Sequence, residues 1–260
     1  MNFESITSKD NPLIKLISQL QTSTKKRREN GLFVIEGLRI CKDAYDNGIR
    51  FDKLIISESA NSKYKNDIEI FSQNAKKCYK IPDALFKKIT DTETPQGIIA
   101  LAKFVSVRTC EIKENGKYIA LENLSEPANL GAVARTAEAF GVDGIILSDT
   151  GCDPYSPKSL RASMGTLLRM PVIIKEDFCE FIKNTSLKTF ACVVDKSATS
   201  IEKFDLSGGC IMIVGNEANG LTDETKMAAD SQITIPMKGK AESLNAAVAS
   251  SIAIWEMMKK

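Results

Sequence analysis

Three segments of the chain carry polar side chains and glycines where a ligand could be bound. Two of them directly follow short apolar runs, Ile211–Val214 and Ile233–Ile235, which are typical of buried strands. The first is the loop Gly215–Leu221, and the second is the loop Pro236–Asn245, which continues into a helix. Because open α/β sheets bind ligands at the carboxyl ends of their strands, these two loops predict a pocket.

The third segment, Glu122–Arg135, follows an apolar strand and opens a helix. Asn129 is well placed as the N-cap of that helix, and Gly131 would let another group approach its first turn closely. Arg135 lies further along the same helix. Taken singly, these residues also have a purely structural interpretation, with Asn129 as a cap and Arg135 as a surface residue of the helix.

The two loops also allow more than one interpretation. Glu217 suits a ligand-orienting carboxylate or an ordinary turn residue, and Ser243 resembles an N-cap whose alternative role is to point its hydroxyl into the pocket beside Asn245. The first loop contains G-x-x-x-x-G, but Leu221 stands where a P-loop needs lysine, and G-x-G-x-x-G does not occur. Without a P-loop lysine, the sequence excludes a nucleoside triphosphate site of that kind. The backbone amides of the loop could still bind an adenosine-like ring by hydrogen bonding.

Composition narrows the chemistry further. The chain of 260 residues contains no histidine, which removes the commonest general base, the commonest metal ligand and every Ser-His-Asp triad. The 7 cysteines show no C-x-x-C spacing, so we expect no metal site and reduced thiols in a cytoplasmic protein. No apolar run approaches the roughly 20 residues that a membrane span requires.

Apolar strands and helices alternate in the second part of the chain. The predicted strands are Tyr118–Leu121, Gly144–Leu147, Val172–Lys175, Thr189–Val194, Ile211–Val214 and Ile233–Ile235. Helices are predicted over Asn129–Phe140, Lys158–Leu168 and from Ser243 to about Lys259, the last with an apolar face of Leu244, Val248, Ile252 and Trp255. Apolar strands with intervening helices predict a parallel sheet that is covered on both faces.

The first part of the chain predicts a smaller α/β domain over residues 1–105, separated from the second by a polar linker at 106–116. An amphipathic helix ends in the basic run Lys25–Arg28, which suits either a phosphate contact or a solvated helix end. The net charge is only +2, yet Lys and Arg exceed Asp and Glu in this part while the reverse holds afterwards. That asymmetry alone does not decide between the two interpretations.

Together the three polar segments resemble the three motifs of the SpoU–TrmH branch of the SPOUT RNA methyltransferases. They read EPANLGAVARTAEAFGVDGI, IVGNEANGL and IPMKGKAESLNAAVASSIAI, and SPKSLRASMGTLLRMPV is similar to the family's segment between the first two. One departure is Glu126-Pro127, where the family often has Asp-Pro or Asn-Pro. The stretches ITSKDNPLIKLISQLQTSTKKRRENGLFVIEGLRI and TPQGIIALAK resemble the substrate-binding domain of ribosomal-RNA members, which is similar to ribosomal proteins that bind kinked RNA.

The resemblance implies a SPOUT methyltransferase domain over residues 117–260, with a parallel sheet and a deep C-terminal trefoil knot. It implies S-adenosylmethionine as methyl donor, a ribose 2′-hydroxyl as acceptor, and a homodimer formed through this domain. Large-subunit ribosomal RNA is the expected substrate, because compact tRNA-specific members lack the first domain. The alternatives are a tRNA ribose methyltransferase and a non-catalytic RNA-binding or ribosome-assembly protein.

Site residues carried over from the family motifs fall into three sets. The cofactor set is Gly215, Asn216, Glu217, Gly220, Ile235, Ser243, Leu244 and Asn245. The catalytic set is Asn129, Arg135, Glu217, Ser243 and Asn245. The RNA-binding set is Lys25, Lys26, Arg27, Arg28, Arg39 and Arg135. Because a guanidinium stays protonated near neutral pH, we expect Arg135 to hold a phosphate and stabilise the developing alkoxide rather than act as a base.

Overall fold

A computed structural model describes residues 3–104, 111–195 and 197–259 of the chain. Its strands are β1 (Glu4–Ser5), β2 (Leu32–Glu36), β3 (Phe51–Ser57), β4 (Ala75–Ile81), β5 (Ile98–Lys103), β6 (Lys117–Leu121), β7 (Gly144–Ser148), β8 (Val172–Lys175), β9 (Lys188–Cys192), β10 (Thr199–Ser200), β11 (Cys210–Val214) and β12 (Ser231–Thr234). Part of the predicted linker, residues 105–110, lies outside the described residues.

The helices alternate with these strands. They are α1 (Pro12–Thr22), α2 (Thr24–Asn30), α3 (Leu38–Asp46), α4 (Glu58–Lys63), α5 (Lys65–Asn74), α6 (Asp83–Phe86), α7 (Pro127–Phe140), α8 (Pro157–Ala162), α9 (Phe178–Asn184), α10 (Asp223–Ala228) and α11 (Ala246–Met258). Within the described ranges, no helix combines the length and the apolar character needed to cross a membrane.

The chain divides into two compact units. The first comprises residues 1–105 and 155–169, and the second comprises residues 106–154 and 170–260. Residues 155–169 thus group with the first unit, and the domain over residues 117–260 stays a prediction from the sequence. Apolar and charged contacts explain why 155–169 belongs to the first unit: the Tyr155 ring lies 5.0 Å from Phe33 and 5.2 Å from Phe104, and Arg169 forms an ion pair with Asp43.

The first unit is built on a mixed five-stranded sheet in the order β1-β4-β3-β5-β2. β5 runs antiparallel to both of its neighbours, β2 and β3, whereas the other pairs are parallel. Helix α1 begins where Asn11 accepts a hydrogen bond from the Leu13 amide and Pro12 occupies the first turn. Its apolar face, which includes Ile17 and Leu20, is buried in the core of this unit.

The second unit contains a seven-stranded sheet in the order β10-β12-β9-β11-β6-β7-β8. All of its strand pairs are parallel, as predicted from the apolar runs. Every residue of β7 and β11 is buried, which shows that helices and loops cover both faces of the central strands. Helix α11 packs against α7 and against the central strands β6 and β11.

Two helix predictions are wrong, one in each unit. The helix predicted over Lys158–Leu168 ends at Ala162, because Met164 and Gly165 have φ angles of 52° and 87°, and a 3-10 turn follows. In α11 the predicted apolar face is not the buried one. Its core-facing residues include Ala253, Ile254 and Met257, while Val248 is 48% and Trp255 is 51% exposed.

Candidate active site

The loop Gly215–Leu221 is a tight hairpin held by its own backbone. Asn216 and Gly220 exchange two N–H···O hydrogen bonds of 3.0 Å, and Gly220 adopts a φ of +67° that favours glycine. The Asn216 side chain accepts hydrogen bonds from the amides of Ala218 and Asn219. A Cβ atom on Gly215 would lie 2.2 Å from the Gly220 carbonyl carbon, so only glycine allows this close approach.

The Glu217 carboxylate joins this loop to the segment between β6 and α7. It accepts hydrogen bonds from the Ser125 amide at 3.1 Å, the Ser125 hydroxyl at 2.9 Å and the Glu126 amide at 3.1 Å. The Asn129 side-chain amide donates a further bond of 2.8 Å. Glu217 therefore holds the neighbouring segment in place, while its predicted role of orienting a ligand stays a prediction.

These hydrogen bonds also fix the charge state of Glu217. Burial by itself would raise the pKa of this carboxyl, but the bonds from Asn129 and from the amide and hydroxyl of Ser125 outweigh it and lower the pKa to about 2. Glu217 is consequently ionised near neutral pH and acts as a hydrogen-bond acceptor. A carboxylate with so low a pKa is a poor general base for a ribose hydroxyl.

Asn129 is not the N-cap that the sequence predicted. Helix α7 begins two residues earlier at Pro127, with Glu126 in the cap position, because proline suits the first helical turn. Asn129 lies within that first turn, where its side chain is free to bridge two other segments. It donates to Glu217 and accepts a 3.1 Å hydrogen bond from the Asn245 side-chain amide.

Asn245, and not Ser243, is the N-cap of α11. Its side-chain oxygen accepts hydrogen bonds from the amides of Ala247 and Val248 at 2.9 and 3.3 Å, while its amide group donates to Asn129. Ser243 is exposed and precedes the helix. One asparagine thus both starts α11 and connects it to the Glu217 network, which brings the three polar segments together.

A cavity of about 590 Å³ lies beside this network, within the size range of small-molecule sites. It is lined by seven of the predicted cofactor residues, Gly215, Asn216, Glu217, Gly220, Ile235, Ser243 and Leu244. Asn245, the eighth, does not line it directly. The apolar side chains of Val214, Leu221 and Met237 also contribute to the wall, which suits a ligand with a flat ring.

The sequence missed the wall that β9 contributes. Residues Cys192–Asp195, at the carboxyl end of that strand, line the cavity together with Lys226 of α10. The rule that ligands lie at strand ends could have found this stretch, but it contains no glycine or motif to single it out. Burial raises the pKa of the Cys192 thiol to about 12, so the thiol is protonated and unreactive near neutral pH.

Arg135 lies apart from the cavity within a single chain. It is exposed on α7, it does not line the cavity, and it makes no hydrogen bond or ion pair with the residues that the structure describes. A guanidinium in this setting is available to a ligand or to another chain. The structure therefore brings together Asn129, Glu217 and Asn245 but leaves Arg135 outside that group.

The predicted RNA-binding residues of the first unit differ in their surroundings. Arg27 is only 3% exposed, and its guanidinium donates to the Leu20 carbonyl and to the Thr24 hydroxyl. It therefore ties α2 to the end of α1, which contradicts its predicted role as a phosphate contact. Lys25 and Lys26 both pair with Glu29, while Arg39 is exposed at the start of α3.

Two family profiles match the chain. The profile of the SpoU rRNA Methylase family matches residues 116–255, and that of the MRM3-like substrate binding domain matches residues 11–100. The first match includes Asn129, Arg135, Glu217 and Asn245. The two profiles thus cover most of the chain in consecutive order.

Characterised relatives match nearly the whole chain. The chain is 28% identical to the 23S rRNA (guanosine(2553)-2′-O)-methyltransferase RlmP of Bacillus subtilis, over 98% of this chain and 99% of that protein. It is 24% identical to a 23S rRNA (uridine(2479)-2′-O)-methyltransferase of Streptomyces viridochromogenes, over 90% and 85%. An AdoMet-bound rRNA methyltransferase from Sinorhizobium meliloti is 28% identical, with a TM-score of 0.84 and coverage of 99% and 98%.

Proposed function

We propose that this chain transfers a methyl group from S-adenosylmethionine to a ribose 2′-hydroxyl of large-subunit ribosomal RNA. The premise is that the chain belongs to the SpoU rRNA Methylase family. The observation that carries this proposal is the hydrogen-bonded chain of Glu217, Asn129 and Asn245, which joins three separate segments beside one cavity. We also propose that the protein acts in the cytoplasm, because its proposed substrate is ribosomal RNA.

The residues around the cavity fit S-adenosylmethionine. The cofactor supplies an activated methyl group on a sulfonium, and its adenine and amino-acid ends need a flat apolar wall and polar groups. Leu221, Ile235 and Leu244 provide the apolar wall, while Asn216 and Ser243 add polar side chains. We assign cofactor binding to Gly215, Asn216, Glu217, Gly220, Ile235, Ser243, Leu244 and Asn245, with Asn245 acting through its bond to Asn129.

The catalytic assignment follows from what the charged groups can do. The chain has no histidine to act as a general base. Glu217, whose pKa is about 2, is too weak a base to take the ribose proton at neutral pH. We assign to Arg135 the binding of a phosphate next to the target ribose and the stabilisation of the alkoxide as it forms. The proton then passes to water or to a phosphate oxygen, while Asn129 and Asn245 hold the loops in register.

Exposed apolar side chains on two adjacent helices support a homodimer. The rings of Phe140 on α7 and Trp255 on α11 lie 5.4 Å apart, and they are 39% and 51% exposed. Val248 extends this apolar surface along α11 with 48% exposure. Large apolar side chains grouped on adjacent helices are typical of a subunit contact. We propose that a second copy covers them and that Arg135 completes the active site of that copy.

The same family assignment leads us to propose a trefoil knot in the second unit. Two features support it. The strand β11 lies between β9 and β6 in the sheet, and the chain then passes through the 236–245 loop before α11 returns to pack on β6 and β11. These two features fit a knotted chain but also fit an unknotted one, and because knots are rare the family assignment carries this proposal.

For RNA recognition we propose a surface on the first unit that includes Lys25, Lys26, Arg28 and Arg39. Arg27 is left out because its guanidinium is buried inside that unit. Cations at a surface bind phosphates without reading the base. Both named relatives modify a ribose in 23S rRNA although one acts on guanosine and the other on uridine, which agrees with recognition of backbone and ribose as common features.

A methylation assay tests this function directly. Purified protein is incubated with radiolabelled S-adenosylmethionine and either protein-free 23S rRNA or total tRNA, and 2′-O-methylated nucleotides are then mapped. We expect a single 2′-O-methylated position in 23S rRNA and no transfer to tRNA. Transfer to tRNA alone would reject the ribosomal substrate. If the protein binds RNA but not S-adenosylmethionine, the chain is an RNA-binding protein and the proposed reaction is rejected.

A further inference from the structure

Glu122 is a buried carboxylate that the proposed reaction does not use. It directly follows β6 and is only 5% exposed. Burying a carboxylate is costly unless several donors satisfy it, so its surroundings are informative. Three donors converge on it: the Thr222 amide at 2.8 Å, the Thr222 hydroxyl at 2.8 Å and the Thr225 hydroxyl at 2.6 Å.

These contacts tie down both ends of the Gly215–Leu221 loop. The backbone amide of Glu122 donates a 2.9 Å hydrogen bond to the carbonyl of Val214, the residue before the loop. Its side chain accepts from Thr222, the residue after the loop and the N-cap of α10. A single residue therefore fixes the distance between the two points where the loop leaves and rejoins the fold.

The next residue, Asn123, holds the start of the same loop. The Asn123 carbonyl accepts a 2.8 Å hydrogen bond from the Asn216 side-chain amide. Asn123 adopts a φ of 53°, a conformation that non-glycine residues seldom adopt, and its amide donates to the Ser148 hydroxyl at 2.8 Å. Strained backbone of this kind persists where surrounding contacts hold it, and here it directs a carbonyl at the loop.

We propose that Glu122 is a positioning residue that keeps the Gly215–Leu221 loop in the shape that binds S-adenosylmethionine. Every residue of this loop lines the cavity, so a change in the separation of its ends alters the cavity wall. The inference rests on the proposed function, since it takes S-adenosylmethionine as the ligand. It differs from the role of Glu217, which joins the loop to Ser125 and Asn129 at its tip.

The size of the effect follows from the population of the binding-competent loop. Without the Glu122 carboxylate, the Thr222 amide loses its acceptor, and other loop shapes become accessible. If the competent shape falls to about one tenth of the population, the apparent Kd for S-adenosylmethionine rises about tenfold. The chemical step is unaffected once the ligand is bound, so KM for the cofactor should rise while kcat stays within about twofold.

The test compares Glu122→Ala with Glu122→Gln. The glutamine keeps an oxygen for the Thr222 amide, and its NH₂ group can donate to the two threonine hydroxyls, so it should restore binding to within about threefold of wild type. Affinity is measured by calorimetry with S-adenosylmethionine, and KM and kcat are measured separately with 23S rRNA. A tenfold loss for alanine that glutamine largely restores is the expected result.

A matched control separates positioning from general destabilisation. Thr189 is buried and exchanges hydrogen bonds with Asp230 in the same unit, away from both ends of the loop. Thr189→Val should lower the unfolding temperature without changing the cofactor Kd by more than about twofold. An equal loss of affinity in this control and in Glu122→Ala would overturn the proposal.

Two further outcomes keep the inference distinct from the proposed function. If wild-type protein does not bind S-adenosylmethionine, the proposed function fails first. If wild type binds and folded Glu122→Ala binds equally well, only the role of Glu122 is overturned. If Glu122→Ala does not fold, Thr225→Val is tested instead, because it removes one hydrogen-bond donor to Glu122 at nearly constant volume. A rise of about threefold in the Kd for S-adenosylmethionine supports the proposal, and an unchanged Kd would overturn it.

Discussion

Replacing Glu217 with glutamine should lower the stability of the second unit in a pH-dependent way. The substitution keeps the size of the side chain but removes the charge that five hydrogen bonds favour. Two come from Ser125 and the others from the Glu126 amide and the Asn129 and Asn216 side chains. A neutral amide also presents donors to groups that are themselves donors. The loss therefore combines weaker bonds with one or more unsatisfied N–H groups.

The pKa of Glu217 sets the magnitude. A fall from 4.5 to about 2 would correspond to about 3 kcal/mol at 1.36 kcal/mol per pKa unit. Because solvent reaches this side chain and screens its interactions, we reduce the expected loss to about 1–2 kcal/mol near pH 7. That is a measurable part of the stability of a typical domain.

The pH dependence has a defined sign. The folded protein holds the pKa of Glu217 below its value in the unfolded chain, so the charged form stabilises the fold above about pH 4.5. This contribution declines as the pH falls from about 5 towards 2, where the carboxyl becomes protonated in both states. The difference in unfolding free energy between wild type and Glu217→Gln should therefore be largest at pH 7 and should shrink with acidification.

Urea unfolding at a series of pH values from 7 to about 3 measures this difference. Trp255, the only tryptophan in the chain, lies in the second unit and reports its unfolding by fluorescence. Glu126→Gln serves as the control, because the Glu126 side chain is exposed, in the same segment, and makes no hydrogen bond with the described residues. A difference for Glu217→Gln that does not change with pH, or that equals the control, would refute the reasoning.

Three further predictions concern the reaction and the assembly. Arg135→Ala should lower single-turnover methylation at least about a hundredfold while calorimetry finds the cofactor Kd unchanged; near-normal turnover would exclude Arg135 from the active site. Gly215→Ala should weaken cofactor binding more than about tenfold, because its Cβ meets the Gly220 backbone, whereas Gly208→Ala, with open space around the added atom, should not. Trp255→Glu should give a monomer without turnover by light scattering and methylation assay, and a dimer that persists would place the interface elsewhere.

The composition of the first unit affects how its removal should be designed. Deleting residues 1–105 would also take away the aromatic contacts of Tyr155 and the ion-pair partner of Arg169. Residues 155–169, the rest of the first unit, would then expose apolar surface that residues 1–105 cover, and misfolding alone would be enough to abolish RNA methylation. Surface substitutions such as Arg39→Ala isolate RNA binding more cleanly than a truncation.

Local sequence features located the loops that line the cavity but not the caps of the helices beside them. The glycines of Gly215–Leu221 identified the hairpin, because close approach and a positive φ both require glycine there. For α7 and α11, several residues in a row could serve as the N-cap. Pro127 in the first turn of α7, and the bonds from the Ala247 and Val248 amides to Asn245, place these two caps, so local signals existed that the choice of Asn129 and Ser243 overlooked.

The sequence by itself determined the parallel sheet of the second unit, since apolar runs in β7 and β11 can only be buried on both faces. It also determined which chemistry is absent, because a chain without histidine lacks the usual base at neutral pH. Only the tertiary structure decided which face of α11 is buried. The apolar residues of that helix surround its axis, and packing against α7 leaves Trp255 exposed.

The roles of the two central carboxylates were likewise decided by tertiary contacts. Glu122 and Glu217 are both glutamates in polar segments, and nothing in their neighbours distinguishes them. The fold surrounds Glu122 with the donors of Thr222 and Thr225, and surrounds Glu217 with those of Ser125 and Asn129. These partners lie about 90 to 100 residues away in the chain, so their hydrogen bonds exist only once the sheet has formed.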